Sequence, residues 1–113
     1  MYLDEFASAI ELARGSLELD IKDEEAWIFL AVGYRGLGRF QESLDAYTEL
    51  MNLKGWSDFF NLENMGEVYL LIGDRQSADR IYQKLLTADP DMAHELQDFA
   101  NNKLPFIKGR WRN

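Results

Sequence analysis

The sequence predicts an all-α protein, a solenoid of antiparallel helical hairpins with about six helices. Three observations predict it. Apolar residues recur every three or four positions through most of the 113 residues, while the alternation typical of strands is nowhere sustained. Residues that break helices, Gly38, Gly73, Pro90 and Pro105, stand only where the apolar pattern pauses. One block of the pattern also recurs 35 positions later in the chain.

The helix ends follow from capping and turn residues. Asp23, Asp58 and Asp91 are placed to cap the second, fourth and sixth helices, because a carboxylate accepts hydrogen bonds from the free amides of a first turn. Gly38 and Gly73 supply the left-handed residue that favours a helix end, and the next helix follows almost at once, so consecutive helices must pack antiparallel. The expected helices span 3–18, 24–37, 40–52, 59–72, 75–87 and 92–103.

The internal repeat is the most specific feature of the sequence. Its first copy reads Trp27-x-x-Leu30-Ala31-x-x-Tyr34-x-x-x-Gly38-x-Phe40-x-x-Ser43-x-x-x-Tyr47-x-x-Leu50. Its second copy reads Leu62-x-x-Met65-Gly66-x-x-Tyr69-x-x-x-Gly73-x-Arg75-x-x-Ala78-x-x-x-Tyr82-x-x-Leu85. The pattern resembles the tetratricopeptide repeat family, whose period is about 34 residues. In such a pattern the small residues let paired helices approach closely, and the tyrosines fill the space between these contacts.

The resemblance implies one repeat domain over residues 1–103 and a basic, flexible tail over residues 104–113. Within the domain we expect four parts: a partial repeat (3–23), repeat one (24–57), repeat two (59–92) and a capping helix (92–103). The partial repeat is the second helix of a hairpin, because Phe6, Ala9 and Ala13 stand 34 positions before their counterparts in repeat one.

Composition and charge exclude several classes of protein. The chain has 20 acidic and 12 basic residues, and all of the acidic ones lie within residues 1–98. An acidic body repels nucleic acid and anionic membranes, and no apolar run approaches the roughly 20 residues that cross a bilayer. We therefore expect no nucleic acid partner, no membrane insertion and, since the acidic start does not resemble a secretion signal, a cytoplasmic location.

Candidate catalytic and metal-binding groups are few. Cysteine is absent, and His94 is the only histidine, so neither a zinc site nor a nucleophile–histidine relay has enough members. Glu63 and Glu67 share a helix face, but a di-metal carboxylate centre would need two Glu-x-x-His motifs. No glycine-rich phosphate loop precedes a helix. We expect no catalytic residue, no metal and no cofactor, and thus a protein that is not an enzyme.

The resemblance further implies a concave groove lined by the first helix of each pair. Carried over by register, the partner-binding residues are Glu25, Ile28, Phe29, Val32, Arg35, Phe60, Glu63, Asn64, Glu67, Leu70, Gln97, Asp98 and Asn101. Several of these residues are apolar although their positions lie outside the predicted core. Glu63, Glu67 and Asp98 make the groove acidic. Alternatively, Phe29 and Phe60 are buried by neighbouring helices.

The expected function is an adaptor, scaffold or assembly chaperone whose groove binds a protein or peptide with basic and apolar residues. Two alternatives stay open. One is a homo-oligomeric scaffold, joined through the end helices or by the tail residues 106–112 in a groove. The other is a regulatory fragment of a larger enzyme or secretion protein, because the chain begins halfway through a repeat.

Overall fold

A computed structural model describes residues 2–102, and the all-α prediction is confirmed over this range, which contains no strand. The helices are α1 (Tyr2–Leu19), α2 (Glu24–Gly36), α3 (Phe40–Lys54), α4 (Phe59–Leu71), α5 (Arg75–Ala88) and α6 (Pro90–Asn102). They fall into two compact units that divide after Trp56, so that unit one holds α1–α3 and unit two holds α4–α6. The tail expected over 104–113 lies outside the described residues.

Two of the three predicted caps are confirmed. The Asp23 carboxylate accepts a hydrogen bond from the Ala26 amide at 3.1 Å, and that of Asp58 accepts one from the Asn61 amide at 3.3 Å. Each satisfies an amide that has no partner within its own helix. These contacts connect residues three apart, so the local sequence is enough to predict them.

The prediction that Asp91 caps the last helix is wrong. Helix α6 begins at Pro90, and the Met92 amide donates to the side chain of Asp89 at 3.4 Å instead. Proline suits the first helical position because its missing N–H would have no acceptor there and its φ is already helical. One further cap was not predicted: the Asp74 carboxylate, before α5, accepts from the Ser77 amide at 3.0 Å and from its hydroxyl at 2.7 Å.

Unit one is built around α2, which packs against both α1 and α3. Its contact with α3 depends on two small residues, as the repeat pattern predicts: Ala31 and Ser43 are fully buried, and the Ser43 hydroxyl donates to the Ala31 carbonyl at 2.7 Å. Its contact with α1 depends on Gly33, where an added Cβ would lie 2.7 Å from Cγ1 of Ile10. The backbone of α2 therefore lies close to α3 on one side and to α1 on the other.

Unit two has three mutually packed helices, with α4 against α5 and α6 and α5 against α6. Gly66 of α4 lies at the crossing: an added Cβ would stand 2.8 Å from Cδ2 of Leu96 and 3.2 Å from Cγ2 of Ile81. The turn residues Gly38 and Gly73 have φ of 75° and 83°, as predicted for left-handed helix ends.

The predicted core is confirmed in most positions and wrong in two. Tyr34, Tyr47 and Tyr82 are buried, and Tyr69 is half-buried. Ile72 and Leu86 recur at the same helical spacing as the buried residues, which predicts that they are buried too, but both are exposed. Ile72 follows the last residue of α4, and Leu86 is rotated about 100° around α5 from the fully buried Leu85.

The close packing at Gly66 can be tested against an open glycine. Gly66→Ala should lower the free energy of unfolding by about 1 kcal/mol, because overpacking against the buried Leu96 costs about 1–3 kcal/mol and outweighs the gain in helix propensity. Gly15→Ala in α1 is the matched control, since no atom lies within 4 Å of its added Cβ, and should raise stability by about 0.5–1 kcal/mol. Urea denaturation followed by circular dichroism measures both, and a Gly66→Ala variant as stable as Gly15→Ala would contradict this account.

Candidate functional site

The groove residues predicted in unit one lie along α2 and are accessible. Phe29 is 49% exposed, Val32 and Glu25 are also exposed, and Ile28 and Arg35 are half-buried. The alternative that neighbouring helices bury Phe29 is therefore wrong. Unit one thus presents a mainly apolar strip on the face of α2 that its packing partners leave uncovered.

The residues predicted in unit two divide into accessible and buried ones. Phe60 is 63% exposed, so neighbouring helices do not bury it either. Asp98 is also exposed, and the half-buried members of the set are Asn64, Glu67, Gln97 and Asn101.

Leu70 is fully buried, so its predicted role as a groove contact is wrong. Glu63 is only 6% exposed. The register of a single hairpin places both residues on an outer face. However, α4 packs against two helices, and seven of its 13 residues are buried. A helix that packs against two other helices exposes fewer residues than it would if it packed only against its partner in the hairpin.

Carboxylates from α4 and α6 meet in unit two around a cavity of about 410 Å³, here called the acidic cavity. Its lining residues are Glu63, Glu67, Glu95, Asp98, Phe99 and Asn102. Three of these, Glu63, Glu67 and Asp98, were predicted to lie close together, and the structure brings them into one cavity. The other three were missed, although the α6 residues 95, 98, 99 and 102 have the spacing of a single helix face.

Glu63 has the most perturbed environment in this cavity. Its pKa is raised to about 7, mainly by burial, then by the charge of Glu95 and a hydrogen bond with the Glu95 side chain, and last by the charges of Glu67 and Asp89. All of these effects favour the protonated form, because a buried negative charge near other negative charges is costly. The Glu63 carboxyl therefore keeps its proton up to a pH of about 7, and a cation in the cavity would favour the release of that proton.

The catalytic and metal-binding alternatives gain no support from the geometry of residues 2–102. Within this range no three histidine, aspartate or glutamate side chains are grouped so that they could hold a metal ion. His94 is exposed on α6. An exposed imidazole outside any such group has the environment of an ordinary surface residue.

A second concavity, here called the α1–α2 groove, lies in unit one and has a volume of about 420 Å³. It is lined by Ala9, Leu12, Ala13, Ser16, Asp23, Glu25, Ala26 and Phe29. The sequence predicted Glu25 and Phe29 as binding residues and named no binding residue of α1, which entered only as an end helix in the self-assembling alternative. Most of the lining is apolar, and its two charged members are both acidic.

The chain matches the model of a known protein family. The family model for the tetratricopeptide repeat matches residues 26–58 and 62–96, which together make up more than half of the chain. A search of curated proteins finds no match. Among the helices within residues 2–102, none combines the length and the apolar character needed to cross a bilayer.

The proton on Glu63 predicts a pH-dependent stability. Because its pKa is raised in the folded state, its contribution is fully present below the ordinary glutamate value of 4.5 and is lost as the pH rises through about 7. Glu63→Gln, which cannot ionise, should therefore be more stable than the wild type at pH 8 by about 1–3 kcal/mol.

This difference should shrink as the pH falls through 7 and disappear near 4.5. Urea denaturation of both proteins between pH 4 and 8 measures it, and carboxyl-detected NMR follows the titration of Glu63 directly. A constant difference across this pH range would show that the carboxyl gains no proton on folding.

Proposed function

Since this chain belongs to the tetratricopeptide repeat family, whose members generally mediate protein–protein interactions and are typically non-catalytic, we propose that it is a non-catalytic interaction module. Its ligand is a peptide or a segment of a partner protein that carries basic residues beside an aromatic or aliphatic anchor. In this role the protein acts as an adaptor, scaffold or assembly chaperone. Its candidate binding residues are the accessible groove residues of α2 in unit one and, taken separately, the residues of the acidic cavity on α4 and α6 in unit two.

The acidic cavity is the observation that carries the proposal. Four of its six lining residues are carboxylic acids, and none of its described lining residues is basic. A lysine or arginine side chain placed there would pair with several carboxylates at once. Since Glu63 is buried beside Glu95, a ligand cation also relieves the repulsion that favours the protonated form of Glu63. Phe99 offers an aromatic surface against which the aliphatic part of such a side chain can pack.

The apolar strip on α2 supports the second half of the ligand description. Phe29 and Val32 are large, exposed and one helical turn apart, so a single aromatic or aliphatic side chain can contact both. Apolar contacts of this kind supply most of the binding energy in protein interfaces, while charge pairs set orientation and the rate of encounter. The apolar strip of unit one thus matches the aromatic or aliphatic anchor of the proposed ligand.

The charge of the cavity can be tested with a peptide of the sequence of residues 104–113, which combines lysine and arginine with phenylalanine and tryptophan. The double variant Glu67→Lys/Asp98→Lys should weaken its binding by about tenfold or more, because two attractions become repulsions. Fluorescence anisotropy of a labelled peptide in low-salt buffer measures the affinity.

The control is Glu11→Lys/Glu18→Lys, which changes the net charge equally at two exposed positions of α1 that do not line the α1–α2 groove. Equal losses in both variants would mean that only total charge matters, and the acidic cavity would not be the site. A mass that rises with protein concentration, measured by light scattering without peptide, would favour the self-assembling scaffold instead.

A further inference from the structure

Leu12 is exposed at a repeat position that is buried elsewhere in the chain. The 34- and 35-residue shifts that relate the second helices α1, α3 and α5 place Leu12, Ala46 and Ile81 at the same position. Ala46 is 2% exposed and Ile81 is 8% exposed, whereas Leu12 is 75% exposed. The residue type does not explain this difference, because leucine is as apolar as isoleucine and more apolar than alanine.

The difference arises from the first helix of each hairpin. In unit one, α2 covers α3, and Ala46 lies beside Trp27 and Leu30 of α2. In unit two, α4 covers α5, and Ile81 lies beside Gly66 of α4. Among the described helices, α2 packs on α1. Because α2 follows α1 in the chain, it corresponds to α6, which follows α5 and packs on it, and not to α4. In the described part of unit one, therefore, no helix covers Leu12 as α4 covers Ile81.

The α1–α2 groove is the surface left open at this place. In unit two, α4 packs against both α5 and α6. By the repeat register, α1 is equivalent to α5, and α2 is equivalent to α6. The groove lies between α1 and α2, where a helix equivalent to α4 would rest. Its alanines, Ala9, Ala13 and Ala26, leave room for a backbone to approach closely. The geometry of the repeat thus selects a helix rather than an extended chain.

The charged residues of the groove indicate which side chains the bound helix would carry. Asp23 and Glu25 are its two charged lining residues, and both are acidic. We propose that the α1–α2 groove binds an amphipathic α-helix of a partner protein, with a small residue at the crossing point, an aliphatic residue against Leu12, and lysine or arginine beside Asp23 and Glu25. Such a helix covers Leu12 of α1 as α4 covers Ile81 of α5.

A second copy of this chain is a poorer occupant than a basic partner. The net charge of the chain is −8, and α1 itself carries four acidic residues against Arg14. Two such surfaces repel each other when they meet. The proposal is also separate from the function proposed above. It shares Glu25 and Phe29 with that surface but depends on α1, whereas the acidic cavity depends on α4 and α6.

The test uses the full chain and a synthetic helix as the probe. The peptide has the sequence of residues 57–74, which contains α4, with Glu63→Lys and Glu67→Lys to give it the required charge. It should bind the wild-type protein, and Leu12→Arg should weaken binding by about tenfold or more. Because Leu12 is mostly exposed, the variant should keep its helical circular dichroism.

Leu3→Arg is the matched control, since Leu3 is an exposed leucine of the same helix, nine residues away and so on the opposite face. It should change the affinity by less than about twofold. A peptide that also carries Gly66→Phe should bind at least about tenfold more weakly, because a large residue cannot enter the crossing point.

Several results would overturn the proposal: no binding of the peptide, equal losses for Leu12→Arg and Leu3→Arg, or a protein dimer that Leu12→Arg dissociates. Binding only after removal of residues 103–113 would identify the chain's own tail as the occupant and would overturn it as well. Glu67→Lys/Asp98→Lys should leave this peptide's affinity unchanged, so failure of the acidic-cavity proposal is distinguishable from failure of this one.

Discussion

Close approach of helix backbones at small residues is the constraint on which this structure depends. In unit one, Ala31 meets Ser43 across a buried hydrogen bond, and Gly33 leaves just enough room for Ile10. In unit two, Gly66 has the same role toward Leu96 and Ile81. Where helices approach this closely, the larger side chains on either side interdigitate without voids, so these crossings determine which residues reach the core and which remain outside.

The acidic cavity is a consequence of this packing. Because α4 packs on both α5 and α6, a glutamate of α4 is buried next to a glutamate of α6. Burial and the neighbouring negative charges raise the pKa of Glu63 to about 7, so its carboxyl keeps a proton below that pH until a cation arrives. The proposed binding surface and a cost in stability would thus have the same origin in the packing of α4 on α6.

Repetition also explains the unequal surfaces of the two units. In unit two, the first helix of the hairpin covers the second, and the outer face of α6 carries polar residues such as His94, Glu95 and Asp98. In unit one, α1 has the sequence of a second helix and keeps an apolar residue, Leu12, where a first helix would pack. The repeat position thus sets the residue type, and the packing of the described helices sets whether that residue is covered.

The sequence by itself determined the helices, their caps at Asp23 and Asp58, the turns at Gly38 and Gly73, and the pairing of small residues within each hairpin. These features depend on residues that are three or four positions apart or that recur with the repeat, so local physics and periodicity are enough. The tertiary structure decided which outer faces are covered. It buried Leu70 and Glu63, exposed Leu12, Phe29 and Phe60, and brought Glu95 and Phe99 into the acidic cavity. The helical period determines on which face of its helix a residue lies. Whether that face is exposed to water depends on how many other helices pack against it, and a local sequence pattern does not give the number of these helices.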